Sequence, residues 1–431
     1  MTNTPLRHVA DVRVSNVDKK SADGEAPVRL CNYTDVYYSD TIRNDRDFMA
    51  ATASSSQIAR FRLEVGDTVI TKDSETAGDI AVPAYVAESA PDLVCGYHLA
   101  MLRPRGELIH PEFLVWAIRS DFCREQFTVA ATGVTRFGLK YEAMLGVIVP
   151  TPPLEEQRRV AQFLDEQCTR IDEVIALRQE QIASVGPYIL ALAHSEVTSA
   201  NHPDRRETDL AWADTLPSHW RSARLATIAA LGTGHTPSRS VPAYWENCDI
   251  PWLTTTDVKH LRSDSVESLS RTEVQISELG LANSAAVMHP AGTVGLCRTS
   301  ASAGFSVIMD VPMATSQDFA VWRPSPYLHP KYLLWCMRAM RRDLLERLAM
   351  GSTHKTIYFP DLASIRVPLP PMVEQREIAE RVTSAVGAVV EARAEMRAQV
   401  DLLREKKRSL ITAAVTGEFD VTTAGGRGVV A

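Results

Sequence analysis

One block of ten residues occurs twice in this chain. Val149-Pro150-Thr151-Pro152-Pro153-Leu154-Glu155-Glu156-Gln157-Arg158 returns as Val367-Pro368-Leu369-Pro370-Pro371-Met372-Val373-Glu374-Gln375-Arg376, agreeing at Val, the first Pro, the Pro-Pro pair, Glu-Gln and Arg. A repeat of this kind constrains the fold more than any composition value, because two similar stretches of chain should build similar architecture. The match extends backward. Ala131, Gly133 and Thr135 answer Ala349, Gly351 and Thr353 in the same register, and Leu108–Trp116 answers Tyr327–Trp335 one residue out of step, as a single loop deletion would leave. Weaker matches follow at Gly66-Asp67-Thr68-Val69 against Gly292-Thr293-Val294, and at Thr34-Asp35-Val36 against Thr256-Asp257-Val258. Two unrelated domains with similar helix starts are the alternative, and the ordered series of matches argues against it.

In both copies Pro-Pro followed by acidic residues is a helix start. Proline at the first helical position loses no needed hydrogen bond, and carboxylates suit the positive end of the helix dipole. In the first helix Leu164, Cys168, Ile171, Ile175, Arg178, Ile182, Val185, Ile189 and Leu192 alternate by four and three. The second helix carries the same stripe at Val382, Val386, Val389, Arg393, Met396, Val400, Leu403, Lys407 and Leu410. So narrow a seam suits another helix better than a broad core. The expectation is an antiparallel coiled coil of the two copies, pseudo-two-fold symmetric, with packing against each helix's own domain as the alternative. About forty residues of helix span on the order of 60 Å. Gly186-Pro187 falls late in the first helix and is expected to kink or end it, leaving it the shorter of the two.

The expected division is therefore a globular domain over 1–150, a central helical spacer over 151–200, a second globular domain over 201–369, a C-terminal helical spacer over 370–417 and a flexible tail over 418–431. Short runs such as Thr68-Val69-Ile70 and Phe305-Ser306-Val307-Ile308-Met309, punctuated by Gly, Pro, Ser and Thr, read as mixed α/β domains, each with one helix, around Trp116 or Trp335.

No transferable catalytic pattern is present. There is no GxGxxG after a strand, no GxxxxGK[ST], no HExxH and no Asn/Asp-Pro-Pro-Tyr. Asp257-Val258-Lys259 has the acid-x-Lys core of a nuclease motif but lacks a suitable upstream acidic partner, and reads as strand and loop. The seven cysteines are scattered singly, with no CxxC pair, so neither disulfides nor a metal site are expected. Met1–Ala10 lacks the apolar core of a signal peptide and no run of about 18 apolar residues occurs, which points to a soluble cytoplasmic protein without a membrane partner.

With 46 basic against 53 acidic residues, the formal charge of -7 does not advertise a nucleic-acid partner, so local patches must decide. Two matched loops stand out. Gly133-Val134-Thr135-Arg136-Phe137-Gly138-Leu139-Lys140 corresponds to Gly351-Ser352-Thr353-His354-Lys355-Thr356-Ile357-Tyr358. Glycine lets a backbone approach phosphate, and Thr, Arg and Lys can hold phosphates or read base edges. The DNA-binding candidates are accordingly Thr135, Arg136, Lys140, Thr353, His354 and Lys355. Arg43, Arg46 and Lys72 join them from the first domain, and Arg239, Lys259 and Arg298 from the second. A solvated turn or surface charge is the alternative for each.

Over nearly its full length the chain resembles the specificity subunits of type I restriction-modification enzymes. The resemblance rests on Gly133 to Gln157, on the second copy ending at Gln375, and on Ile411-Thr412-Ala413-Ala414-Val415-Thr416-Gly417. Similar openings are Val28–Tyr37, Gly234-His235-Thr236-Pro237 and Ile250-Pro251-Trp252. It implies two target-recognition domains, each reading half of a split site in double-stranded DNA, with paired helices setting the gap. It also implies two methyltransferase subunits and two restriction (motor-nuclease) subunits as partners, which bind AdoMet, ATP and magnesium; this chain needs no cofactor and no catalytic residue of its own. Ser184–Tyr188 departs from the uninterrupted helix usual in that family. A protein-binding scaffold with two domains on a coiled coil, and a divergent nuclease or methyltransferase, stand as alternatives.

Overall fold

The computed structural model describes residues 2–349 and 356–421. These fall into two compact units. The first takes the chain up to Leu177 and again from Gln399; the second is Arg178–Ala398. Both are mixed α/β.

In the first unit five strands lie side by side in the order Ala10–Val14, Leu99–Pro104, Thr68–Thr71, Pro83–Val86 and Thr41–Ile42, antiparallel except for the last pair. A second sheet sets Ala26–Cys31 between Met49–Ala53, antiparallel, and Leu93–Cys95, parallel. The second unit has the same plan. Its five strands run Ala229–Thr233, Phe319–Pro324, Val294–Cys297, Ser306–Met309 and Ser268–Leu269, again with only the last pair parallel. Ile250–Leu253 lies between Gln275–Ile276 and the parallel Ala314–Thr315. All four residues of each middle strand, Thr68–Thr71 and Val294–Cys297, are buried, as a short unbroken run covered on both faces requires.

Pro111–Arg119 and Pro330–Ala339 are helices started by proline, and each buries nearly every side chain from its third residue onward. One helix per domain proves too sparse an expectation: Ser55–Phe61 and Asp121–Ala130 are also helical, each opened by a serine whose hydroxyl accepts a backbone N–H. Asp257-Val258-Lys259 is likewise helical rather than strand and loop, spanning the junction of Thr255–Asp257 and Val258–Leu261.

The long helices are Leu154–Val197 and Met372–Thr416, of 44 and 45 residues. The helix does not end at Gly186-Pro187, and the first helix is not appreciably the shorter. An internal proline costs about 3 kcal/mol. Val185, Ile189, Ala193 and Val197 are buried in the core of the second unit on the same stretch, and each larger aliphatic side chain so buried contributes about 1.5–3 kcal/mol. Tertiary packing therefore outweighs the lost hydrogen bond.

Each unit contains part of both helices. In the first, Leu164 and Cys168 share a core with Ile411, Ala414 and Val415, Ile171, Ile175 and Leu403 are half-buried and Val400 is buried. Lys407, within the seam, reaches Asp172 at 2.7 Å. In the second, Val185, Ile189, Ala193 and Val197 share a core with Ile378, Ala379, Val382 and Val386, flanked by Val389 and Met396. Ile182 is half-buried there, and Arg381 pairs with Glu196 at 3.0 Å. Among the described residues no helix is long and apolar enough to cross a membrane.

Candidate nucleic-acid interface

The loop 133–140 is a hairpin held against the end of the middle strand. Thr132–Gly133 pairs with Phe137–Gly138, and Phe137–Gly138 pairs with Asp73–Ser74. Leu139 donates its backbone N–H to the Lys72 carbonyl at 2.9 Å. In the second unit Ile357 donates to the Arg298 carbonyl, also at 2.9 Å, and Thr356 bridges Thr299. Lys72 and Arg298 thus occupy the same place, directly after the middle strand, with the same latch. Each cation lies over an aromatic ring, Lys72 Nζ 4.4 Å from Tyr97 and the Arg298 guanidinium 5.1 Å from Phe359. Arg298 also donates to the Gln317 carbonyl at 2.9 Å.

Beside the first hairpin opens a cleft of about 430 Å³ lined by Tyr33, Tyr37, Tyr38, Asp73, Ser74, Glu75, Asp79, Thr135 and Arg136. Tyr33 and Tyr37 stack at 5.2 Å, and Tyr38 meets Tyr37 edge-on at 4.9 Å. The short helix Tyr33–Tyr37 that presents them is fixed by a capping box, in which Asp35 accepts the Asn32 N–H at 2.7 Å. Tyr37 donates its hydroxyl to Asp79, which pushes its pKa up to about 12. Burial, then Asp79, raises that of Tyr33. Both phenols are therefore neutral near pH 7. Asp73 lies 2.8 Å from His98 Nδ1 and 3.8 Å from Lys72 Nζ.

The second unit has a cleft of about 290 Å³ lined by Thr236, Arg239, Trp252, Thr254, Thr255, Thr256, Val274, Ser316, Gln317 and Asp318. Arg239 lies 5.0 Å from the Trp245 ring, which meets Trp252 edge-on at 5.5 Å. Gly234 is required here: a Cβ on it would fall 1.7 Å from the Thr315 carbonyl oxygen. Asp257 is occupied structurally, capping Thr254 N–H at 2.8 Å and accepting Glu273 N–H at 2.7 Å. The acid-x-Lys core is thus part of a turn, and Lys259 pairs with Glu273 at 2.9 Å.

Of the sequence candidates, the structure brings Thr135, Arg136 and Lys72 together in the first unit, and Arg239 and Arg298 near one cleft of the second. Lys140 is exposed at the start of the helix Tyr141–Gly146. Arg43 pairs with Glu88 at 3.1 Å and Arg46 donates to the Asp35 carbonyl at 3.3 Å, and neither lines either of these two clefts. Thr353, His354 and Lys355 lie outside the described residues. Sequence reasoning missed Tyr38, Asp73, His98, Trp245 and Gln317. The Tyr33 and Tyr37 pair was the available signal, since aromatics four residues apart on a helix share one side. Among the described residues no cluster of His, Cys, Asp and Glu could hold a metal ion.

The model of the type I restriction modification DNA specificity domain matches residues 217–395. The MjaX type I restriction enzyme specificity subunit of Methanocaldococcus jannaschii is 24% identical over 381 residues, covering 85% of this chain and 81% of its own. The fold is shared with the HsdS subunit from Thermoanaerobacter tengcongensis, at a TM-score of 0.57 and 21% identity over 97% of each chain. It is shared too with a chain from a structure of a type I restriction-modification system described for its complex assembly and conformational transition, at a TM-score of 0.69 and 20% identity, covering 97% of this chain and 98% of that one. With the duplicated Pro-Pro-x-x-Glu-Gln helix starts and the two similarly built α/β units, these likenesses lead to one conclusion: the chain is similar in sequence and fold to the specificity subunits of type I restriction-modification systems, and its residues 217–395 match their DNA specificity domain.

Proposed function

We propose that the two units are target-recognition domains that each read one half of a bipartite site in double-stranded DNA. The two long helices pair antiparallel as a pseudo-two-fold coiled coil that sets the distance between half-sites. The observation that carries this reading is the repeated latch, Leu139 on Lys72 and Ile357 on Arg298, which sets a cation at the same strand end in both units. Support for the antiparallel pairing comes from each unit's own core: the start of the first helix packs with the end of the second in one, and the reverse in the other.

In this reading the chain docks two methyltransferase subunits and two restriction subunits in the cytoplasm. AdoMet, ATP and magnesium belong to those partners and supply the methyl transfer and DNA cleavage; this chain supplies the address. The test is to assemble the chain with methyltransferase subunits and measure AdoMet-dependent methylation together with DNA binding across salt concentrations. Methylation at a split motif, with binding that weakens as salt rises, is expected. A protein-binding scaffold would assemble without any sequence preference. Lys140→Ala should weaken binding alike across sequences and reduce the salt slope by about one.

A further inference from the structure

We propose that the cleft of the first unit reads the major-groove edge of a G·C pair, Arg136 donating to guanine and Glu75 accepting from the cytosine amino group. This rests on the reading of the unit as a DNA-recognition domain, and adds the base pair and the residues.

Arg136 carries five N–H donors in a rigid fork. It is exposed, lines the cleft and forms no ion pair among the described residues, although three carboxylates line the same space. Two of those carboxylates are engaged elsewhere: Asp79 takes the Tyr37 hydroxyl, and Asp73 takes His98 Nδ1 at 2.8 Å. Arg136 Nη2 lies 3.5 Å from that same Nδ1. A ring nitrogen that gives its proton to Asp73 cannot also accept from the guanidinium, so the fork keeps its donor capacity. Glu75 is exposed and makes no hydrogen bond or ion pair among the described residues.

A phosphate does not suit this cleft. Three carboxylates surround one guanidinium, and a further anion would be repelled. A base edge is neutral and carries both signs of partial charge. Guanine offers two adjacent acceptors, O6 and N7, that match the arginine fork, and its paired cytosine offers an N4 donor that matches a carboxylate. The tyrosine walls offer flat aromatic surface beside these groups without adding charge. The second unit's cleft carries hydroxyls and an arginine over tryptophan instead, so its half-site serves as an internal control.

The experiment assembles the full chain with its methyltransferase subunits and sequences the methylated products of a random DNA pool, for wild type, Arg136→Ala, Arg136→Lys and Glu75→Gln. Lysine keeps the charge but loses the fork. The expected result is a G·C position in one half-site whose preference falls about tenfold or more in both Arg136 variants. Glu75→Gln should weaken the same position, with the other half-site and the salt slope unchanged. Uniform weakening with a flatter salt slope in Arg136→Ala would make Arg136 a phosphate contact and overturn the inference, and guanine preference undiminished in Arg136→Lys would overturn the bidentate fork. An unchanged motif in Arg136→Ala overturns it too, while leaving the broader function standing. Absence of any split motif in the wild type removes that function itself.

Discussion

Gln157 accepts the backbone N–H of His110 on its side-chain oxygen at 2.7 Å, while its amide nitrogen donates to the carbonyls of Leu108 at 3.1 Å and Pro152 at 2.8 Å. Gln375 repeats all three contacts with His329, Tyr327 and Pro370, at 2.8, 3.0 and 2.9 Å. One fully buried side chain thus ties the start of each long helix to the loop that begins the Trp-bearing helix. This explains the glutamine shared by the two blocks: no other residue of that length offers one acceptor and two donors without charge.

Replacing either Gln157 or Gln375 by alanine should leave three backbone groups without these partners and destabilise its unit by about 1–3 kcal/mol. Urea unfolding of each variant measures this. A loss under half a kilocalorie would show that water substitutes for the side chain.

Asp264 should be indispensable to the second unit. It pairs with Arg341 at 2.8 Å and faces the fully buried Arg338, whose pKa burial lowers to about 10. Asp264→Asn removes the carboxylate that both buried guanidiniums face, and a loss of about 3–5 kcal/mol is expected. The corresponding contact of the first unit, Arg119 on the exposed Asp40 at 2.9 Å, should tolerate Asp40→Asn with little change.

Acid should destabilise the second unit ahead of general acid unfolding. Burial lowers the pKa of His289 and of His329 from 6.5, helped by Arg323 in the first case and by Arg376 and Lys331 in the second. Each folded-state value lies below the unfolded one, so the unfolded chain takes up protons first as pH drops through 6.5. Stability is full above that pH and declines below it. Thermal unfolding at pH 7.5 and 5.5 should show a smaller pH-dependent drop in His289→Gln and His329→Gln than in wild type.

Gly234→Ala places a methyl group against the Thr315 carbonyl and should distort the second cleft, with a stability loss of about 1–3 kcal/mol. Recognition by the second unit should fail while that by the first persists. Methylation of DNA pools varied in one half-site at a time separates the two.

Removing seven residues from each long helix shortens it by about 10.5 Å, or about three base pairs at 3.4 Å each. The interval between methylated half-sites should contract by that amount, which product sequencing reads directly. An unaltered interval would sink the ruler.

The repeat, the two long helices and the absence of familiar catalytic motifs were legible in the amino-acid order because each depends on local spacing: Pro-Pro before an acidic turn, and apolar residues every three or four positions. Tertiary structure decided the rest. Pro187 sits inside a continuous helix because Val185 and Ile189 are buried on either side of it. Lys72 and Arg298 proved equivalent only once their carbonyls were seen to receive Leu139 and Ile357 from far along the chain. The first cleft joins residues 33–38, 73–79 and 135–136. A side chain's partners across such distances depend on strand order and register, which local sequence patterns do not encode, so Arg43 and Arg46 stood among the candidates until the fold assigned them to Glu88 and the Asp35 carbonyl.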